Sequence, residues 1–402
     1  MIFSLKGVKN AGYTLLSCVT LCVAMILSST AFATTVIIKP NTAISASKKY
    51  SGVTLDMTSG SFNVTNGAIL TLENCQVTGT LSNDNPVLFN IENGQLQMQN
   101  NTVSVRTFGL DPHPLTQSLQ YVVQVNMGSV NLNGNRFSID QPFTAGMLVT
   151  TSPTPTTGLA IVSNKFDGFH GVLYLINSSD AVVTDNVLTK NSFGNIVLLG
   201  DNGQILRNTI AFSGNNHLGN SMDIFNSDGV VISNNILLTP TCHGIYILNS
   251  HHLQISDNRI MGGITYAMNI LTYPETMKGR SSGQKMDSYV KDLMQTMPTK
   301  TVAQTVSSDI VIQNNYMGQN RFGIAANDVD GLTVSSNYFV QRFADAASRQ
   351  FWTDNSVLLQ DVTNLSWTSN LYREAFSQDM NGDNSKSLQF VSFPETGGVQ
   401  LP

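Results

Sequence analysis

The stretch HGIYILNSHHLQISDNRI, residues 243–260, holds two short alternating apolar runs and two polar corners, Asn249-Ser250-His251-His252 and Asp257-Asn258. The same arrangement stands upstream as SMDIFNSDGVVISNNIL, 221–237, and again as LYLINSSDAVVTDNVL, 173–188. Working outward, the pattern apolar-x-apolar-x-x-Asn-x-apolar recurs along the chain. It places Asn101, Asn135, Asn164, Asn186, Asn208, Asn235, Asn258, Asn315, Asn337 and Asn370 in one equivalent slot. LTLENCQV, 70–77, fits with Cys75 in the asparagine position. The commonest gaps are 22 and 23; those of 27, 29, 33 and 34 read as loops added at one corner, and the gap of 57 as one extra coil plus an insertion.

A period near 22 with such short runs leaves room for two or three strands of about four residues per turn. Alternation sends one side chain in and the next out. No single turn can bury its apolar face alone, so stacked turns must share one core and pair in parallel. Asparagine tolerates the left-handed backbone of a tight corner, and its amide can bond the same amide one turn away. The expected fold is therefore all-β: a single-stranded right-handed parallel β-helix, a solenoid with an Asn ladder and one short helical insertion.

On the ladder and the companion strand-corner motifs LYLINS, MDIFNS and GIYILNS, the chain resembles the right-handed parallel β-helix repeat family of the pectate-lyase-like superfamily, over roughly residues 60–375. The resemblance implies the fold; the scaffold hosts many chemistries. A local likeness to the alginate C5-epimerase branch lies in FGLDPHPL, 108–115. Asp111, Pro112 and His113 match its Asp-Pro-His-Asp motif, and Pro114 replaces the second acid. Lyases on this scaffold use Ca²⁺ held by several acids, with Lys or Arg as base. No such acid cluster is legible here to support Ca²⁺, so no metal site and no cofactor is expected, Ca²⁺ alone being left open.

Residues 1–33 read as an export signal, with Lys6 and Lys9 in a basic head, an apolar run from Ala11 to Leu27, and small residues at Ala31-Phe32-Ala33. The protein is expected to be periplasmic or secreted, with no membrane span after cleavage. Residues 34–60 read as N-terminal strands and cap, 61–375 as the β-helix, and 376–402 as a C-terminal tail. An insertion at 272–307 breaks the period, and Met286, Tyr289, Val290, Leu293, Met294 and Met297 within it are spaced as one face of a short helix. Net charge is −5, which provides no basic footprint for nucleic acid. Cys75 and Cys242 are about six turns apart, roughly 29 Å at one strand spacing per turn, so they should be free thiols. Oligomeric state is not legible.

Counting back from the Asn corners puts Tyr174, Asp223 and Tyr246 at one outward position in three turns, with His170, Asn220 and His243 near the strand starts and Asn269 in the next turn. A carboxylate, a phenol and an imidazole can exchange protons with a sugar ring, and aromatic faces stack on sugars. Asp223, Tyr246 and His243 are thus the candidate catalytic residues, and Tyr174, His170, Asn220 and Asn269 the candidate substrate-binding residues. The expected partner is a polysaccharide. One reading is a polysaccharide lyase or C5-epimerase acting on an acidic glycan. The alternative is a non-catalytic β-helix that binds surface glycan or a protein partner. The bland account of the stripe itself is an ordinary solvated face, where Tyr and Asp are common.

Overall fold

The structure, a computed structural model, describes residues 34–110, 120–192, 194–211, 219–263, 265–272, 306–318, 320, 322–340 and 357–373. The export signal, Asp111-Pro112-His113, the helical spacing at 284–297 and the 376–402 tail lie outside the described residues.

Every strand pairs in parallel with the equivalent strand of the next turn. For example, Met222–Phe225 sits between Ile196–Asp201 and Ile245–Leu248. Three faces result. Among the described residues a thirteen-strand sheet carries the strands that follow the Asn corner. The other two faces are joined where the long strand Phe322–Ser335 runs around their shared corner. One of them, the site sheet below, contains Gly171–Ser179, Ile196–Asp201, Met222–Phe225, Ile245–Leu248 and Tyr266–Leu271. The fold is a right-handed parallel β-helix.

Inside, equivalent positions stack like on like. Phe89, Val123, Leu148, Leu173, Ile196, Met222, Ile245 and Met268 form one inward column of the site sheet, all buried. Elsewhere in the core Phe137 and Phe166 stack with ring centroids 5.3 Å apart. A parallel coil needs such columns, because each side chain finds its neighbour one strand spacing away.

The Asn ladder is continuous. Each amide oxygen accepts from the preceding ladder residue, as Asn208 Oδ1 does from the backbone N–H of Asn186 at 3.0 Å and its Nδ2 at 2.9 Å. The second amide proton goes to a carbonyl of the turn before, as Asn208 Nδ2 does to Val183 at 2.9 Å. Cys75 heads the column, its N–H donating to Asn101 Oδ1 at 2.8 Å. The expected reason for asparagine needs correcting. The left-handed residue is the one before the ladder position: Asn100, Gly134, Ser163, Asp185, Arg207, Asn234, Asp257, Asn314, Ser336 and Ser369 all have φ between 50° and 67°. The ladder slot requires an amide that both donates and accepts; the slot before it requires only a tolerated positive φ.

The NS motifs build a second, shorter ladder at the corner leaving the site sheet. Ser227 N–H donates to Ser250 Oγ, and Ser250 N–H to Ser307 Oγ, each at 3.2 Å. Asn177, Asn226 and Asn249 before the motif serines take the left-handed conformation. At the insertion, Ser307 N–H donates to Thr272 Oγ1 at 2.7 Å, so the excursion leaves and rejoins the coil at adjacent points. Cys75 and Cys242 are free and buried. Among the described residues no helix is long and apolar enough to cross a membrane.

Candidate functional site

The outward column of the site sheet runs Gln124, Val149, Tyr174, Val197, Asp223, Tyr246, Asn269. Asp223 and Tyr246 are direct neighbours and Asn269 follows, as the count from the Asn corners places them. The turn between Tyr174 and Asp223 contributes Val197, which is 11 residues before its ladder Asn208 where Tyr174 is 12 before Asn186; a register shift between Ile176 and Ser178 absorbs the difference. Tyr174 therefore stands two turns from Asp223.

This column is not an ordinary solvated face. Tyr174, Asp223, Tyr246 and Asn269 expose 1%, 1%, 5% and 7% of their surface. Val149, Tyr174, Val197, Leu199, Phe225, Tyr246 and Leu248 make a second apolar cluster outside the solenoid's central core. Strand alternation predicts direction, in or out; burial depends on what packs over the outer face, which alternation does not encode.

Five of the seven candidate residues meet in one cluster. Asn220 is the hinge between two turns: its Nδ2 donates to Asp223 Oδ1 at 2.6 Å and its Oδ1 accepts the His243 backbone N–H at 2.9 Å. The His243 ring lies 5.2 Å from Tyr246 and 5.3 Å from Tyr266, and Tyr266 stacks on Phe322 at 4.7 Å. His243 Nε2 faces Asn269 Nδ2 at 3.4 Å. His170 and Tyr174 belong to other contacts. His170 Nδ1 bonds Ser192 Oγ at 2.9 Å, and Tyr174 meets Tyr121 edge-on at 6.1 Å.

The hydrogen bonds fix the His243 tautomer. Thr265 Oγ1 gives its single proton to the Cys242 carbonyl at 2.6 Å, so it must accept from His243 Nδ1 at 2.8 Å. Nδ1 carries the proton, and Nε2 keeps a lone pair, which is the atom facing the Asn269 amide donor. Burial holds the imidazole neutral, lowering its pKa to about 4. Burial acts oppositely on Asp223, raising its pKa to about 7 against the lowering effect of the Asn220 bond. The Cys242 thiol is pushed up to about 11 by burial, with the Asp223 charge adding to the rise, so it is not a nucleophile near neutral pH. An acid that titrates near 7 and a neutral base of fixed tautomer, on adjacent turns, can serve proton transfer.

Thr265, Tyr266 and Phe322 were not singled out from the sequence, and Cys242 only as a free thiol. The signal for Thr265 was its offset of 22 from His243, the coil period, which also relates His170 to Ser192. Among the described residues no group of three or more His, Cys, Asp or Glu could hold a metal ion.

A family model described as a right handed beta helix region matches residues 148–272, which include all seven candidate residues. No curated protein matches the chain. Among solved structures, the alginate lyase AlyF-OU02 in complex with G6 is 14% identical, covers 88% of this chain and 82% of its own, and superposes with a TM-score of 0.51. The PL6 family polysaccharide lyase Pedsa3628 from Pseudopedobacter saltans is 11% identical, with coverage of 89% and 97% and a TM-score of 0.46. The periplasmic alginate epimerase AlgG is 12% identical, with coverage of 81% and 78% and a TM-score of 0.41. At 14% identity the likeness to AlyF-OU02 shows the fold alone, a right-handed parallel β-helix, in agreement with the family model.

Proposed function

We propose that the protein is an exported carbohydrate-active enzyme, a polysaccharide lyase or C5-epimerase, that removes a proton beside the carboxylate of an acidic glycan. The observation that carries the reading is the cluster in which Asn220 links Asp223 to the His243 backbone while the His243 ring meets Tyr246 and Asn269, with acid and base shifted in opposite directions by burial. In its protonated form Asp223 would hydrogen-bond the substrate carboxylate and make the neighbouring C–H more acidic. His243 Nε2 would take that proton, and the Tyr246 phenol would deliver one. In a lyase, the C4–O bond then breaks, a C4=C5 double bond forms, and the leaving oxygen takes the proton. In an epimerase, C5 is reprotonated from the opposite face. Asn220 and Asn269 would position the acid and the base.

The test is turnover of residues 34–402 on alginate, pectate and other uronate glycans, following unsaturated product by ultraviolet absorbance and proton exchange by NMR in heavy water. Asp223→Asn, Tyr246→Phe and His243→Gln should each lower kcat by about 100-fold or more, the usual scale for removing a general acid or base. Activity that survives all three changes overturns the assignment. The near-complete burial of the three side chains favours a second reading, a non-catalytic glycan-binding solenoid. A folded protein that captures a uronate glycan without turning it over would establish that instead.

A further inference from the structure

A cavity of about 500 Å³ opens at the N-terminal end of the solenoid, between the segments 40–41, 58–61 and 82–87 and the residues Asn90 and Gln124. Its size falls in the usual range for small-ligand pockets, roughly 300–1,000 Å³. Asn90 and Gln124 occupy the outward column that later carries Asp223. Gln124 is four turns before Asp223, about 19 Å at the parallel strand spacing. The buried apolar residues Val149, Tyr174 and Val197 fill the interval, so the cavity is a separate place on the same sheet.

Its walls are held by the coil. Asn85 Nδ2 donates to the Thr80 carbonyl at 2.8 Å and the Gly60 carbonyl at 3.3 Å, tying two neighbouring loops together. Asn41, left-handed at φ 51°, donates its N–H to Ser61 Oγ at 3.1 Å. Gly60 is required here, since a Cβ at that position would stand 2.0 Å from the Ile38 carbonyl oxygen. Among the described residues the lining combines amides, hydroxyls and one carboxylate, Asp84, with the apolar surfaces of Pro40, Pro86 and Val87, and includes no Lys or Arg. Amides and hydroxyls supply both donors and acceptors, as ring hydroxyls demand. The prolines and Val87 suit the C–H face of a ring. Among these described residues a uronate carboxylate would find no Lys or Arg and would meet Asp84.

We infer that this cavity binds a neutral sugar residue, whether or not the Asp223 cluster turns a substrate over. The protein would then hold glycans in which neutral hexoses occur, and its two sites would differ in the charge they accept.

The experiment is calorimetric titration of residues 34–402 with maltotriose, cellotriose and β-1,4-mannotriose, and with a mannuronate trisaccharide as the charged contrast. At least one neutral trisaccharide should bind saturably, and more tightly than the uronate. Asn90→Ala with Gln124→Ala should weaken that binding by about tenfold or more, the scale of one or two hydrogen bonds. Asp223→Asn should leave it unchanged, which separates this site from the proposed catalytic one. Asp84→Lys, a change at the rim, should shift preference toward the uronate. Absence of saturable binding by every neutral trisaccharide overturns the inference. So does preference of the unmodified protein for the uronate, or binding indifferent to both Asn90/Gln124 and Asp84.

Discussion

Asn208 and Asn220 are both buried asparagines on neighbouring turns, yet they serve different masters. Asn208 bonds the coil and other ladder amides: the Val183 carbonyl, the Asn235 amide oxygen and the Asn186 N–H groups. The Asn220 side chain bonds one backbone N–H and one carboxyl, and among the described residues no equivalent residue repeats that pair in the turns around it. A partner that recurs in every turn holds the turns together. A partner that occurs once, and is a titratable side chain, holds a particular chemistry. Within a repeat fold the useful question is therefore which buried polar groups break the repeat.

The largest expected effect lies on the ladder side. Asn208→Ala removes the acceptor of two buried donors of Asn186 and should cost roughly 3–5 kcal/mol. Asn220→Ala should cost less, about 1–3 kcal/mol, while driving the Asp223 pKa above its present value of about 7, because the lost bond favours the charged form. Urea unfolding of the two variants measures the difference, and equal losses would erase the distinction between them.

The site side is best probed by pH. Native Asp223 holds its proton up to about pH 7, whereas the unfolded chain releases it near 4, so stability falls as pH rises through that window, by roughly 4 kcal/mol at most. Native His243 gives up its proton near 4, whereas the unfolded imidazole keeps it to about 6.5. That residue makes stability rise with pH across its own window, by roughly 3 kcal/mol. The two slopes oppose, and their sum is nearly flat from about pH 4 to 6.5. Asp223→Asn should unmask the rise and His243→Gln the fall, as read from urea midpoints between pH 4.5 and 7.5. A profile that neither variant changes contradicts the opposed shifts.

The smallest effect is a gain. Cys75 occupies a ladder slot without an amide. Cys75→Asn would add one link to Asn101 and should stabilise by about 1 kcal/mol, one net hydrogen bond. A loss on thermal unfolding would mean that the slot at this end is shaped for the thiol.

The fold was legible because ladder asparagines recur at a spacing that only stacked coils explain. The same count placed Asp223 beside Tyr246 and Asn269 in register. Three things were not legible, each for a physical reason. The left-handed residue precedes the ladder slot, and Asn, Asp, Ser, Gly and even Arg207 fill that position, so composition hides it. Val197 entered the column through a register shift at Ile176–Ser178, which a fixed period cannot foresee. The burial of the outward face depends on packing beyond the strand itself, so Asp223 and His243 read as exposed groups and carry the pKa shifts of enclosed ones.

The ladder also has a direction. Each amide oxygen accepts from the turn before, so the backbone N–H and one side-chain proton of each ladder asparagine are satisfied only by the turn that follows, from Asn101 onto Asn135 through to Asn337 onto Asn370. During synthesis the newest coil at the growing end would always hold buried donors awaiting an acceptor not yet made. Closure would thus trail elongation by one coil, and the chain would lock from its N-terminal end as successive asparagines emerge.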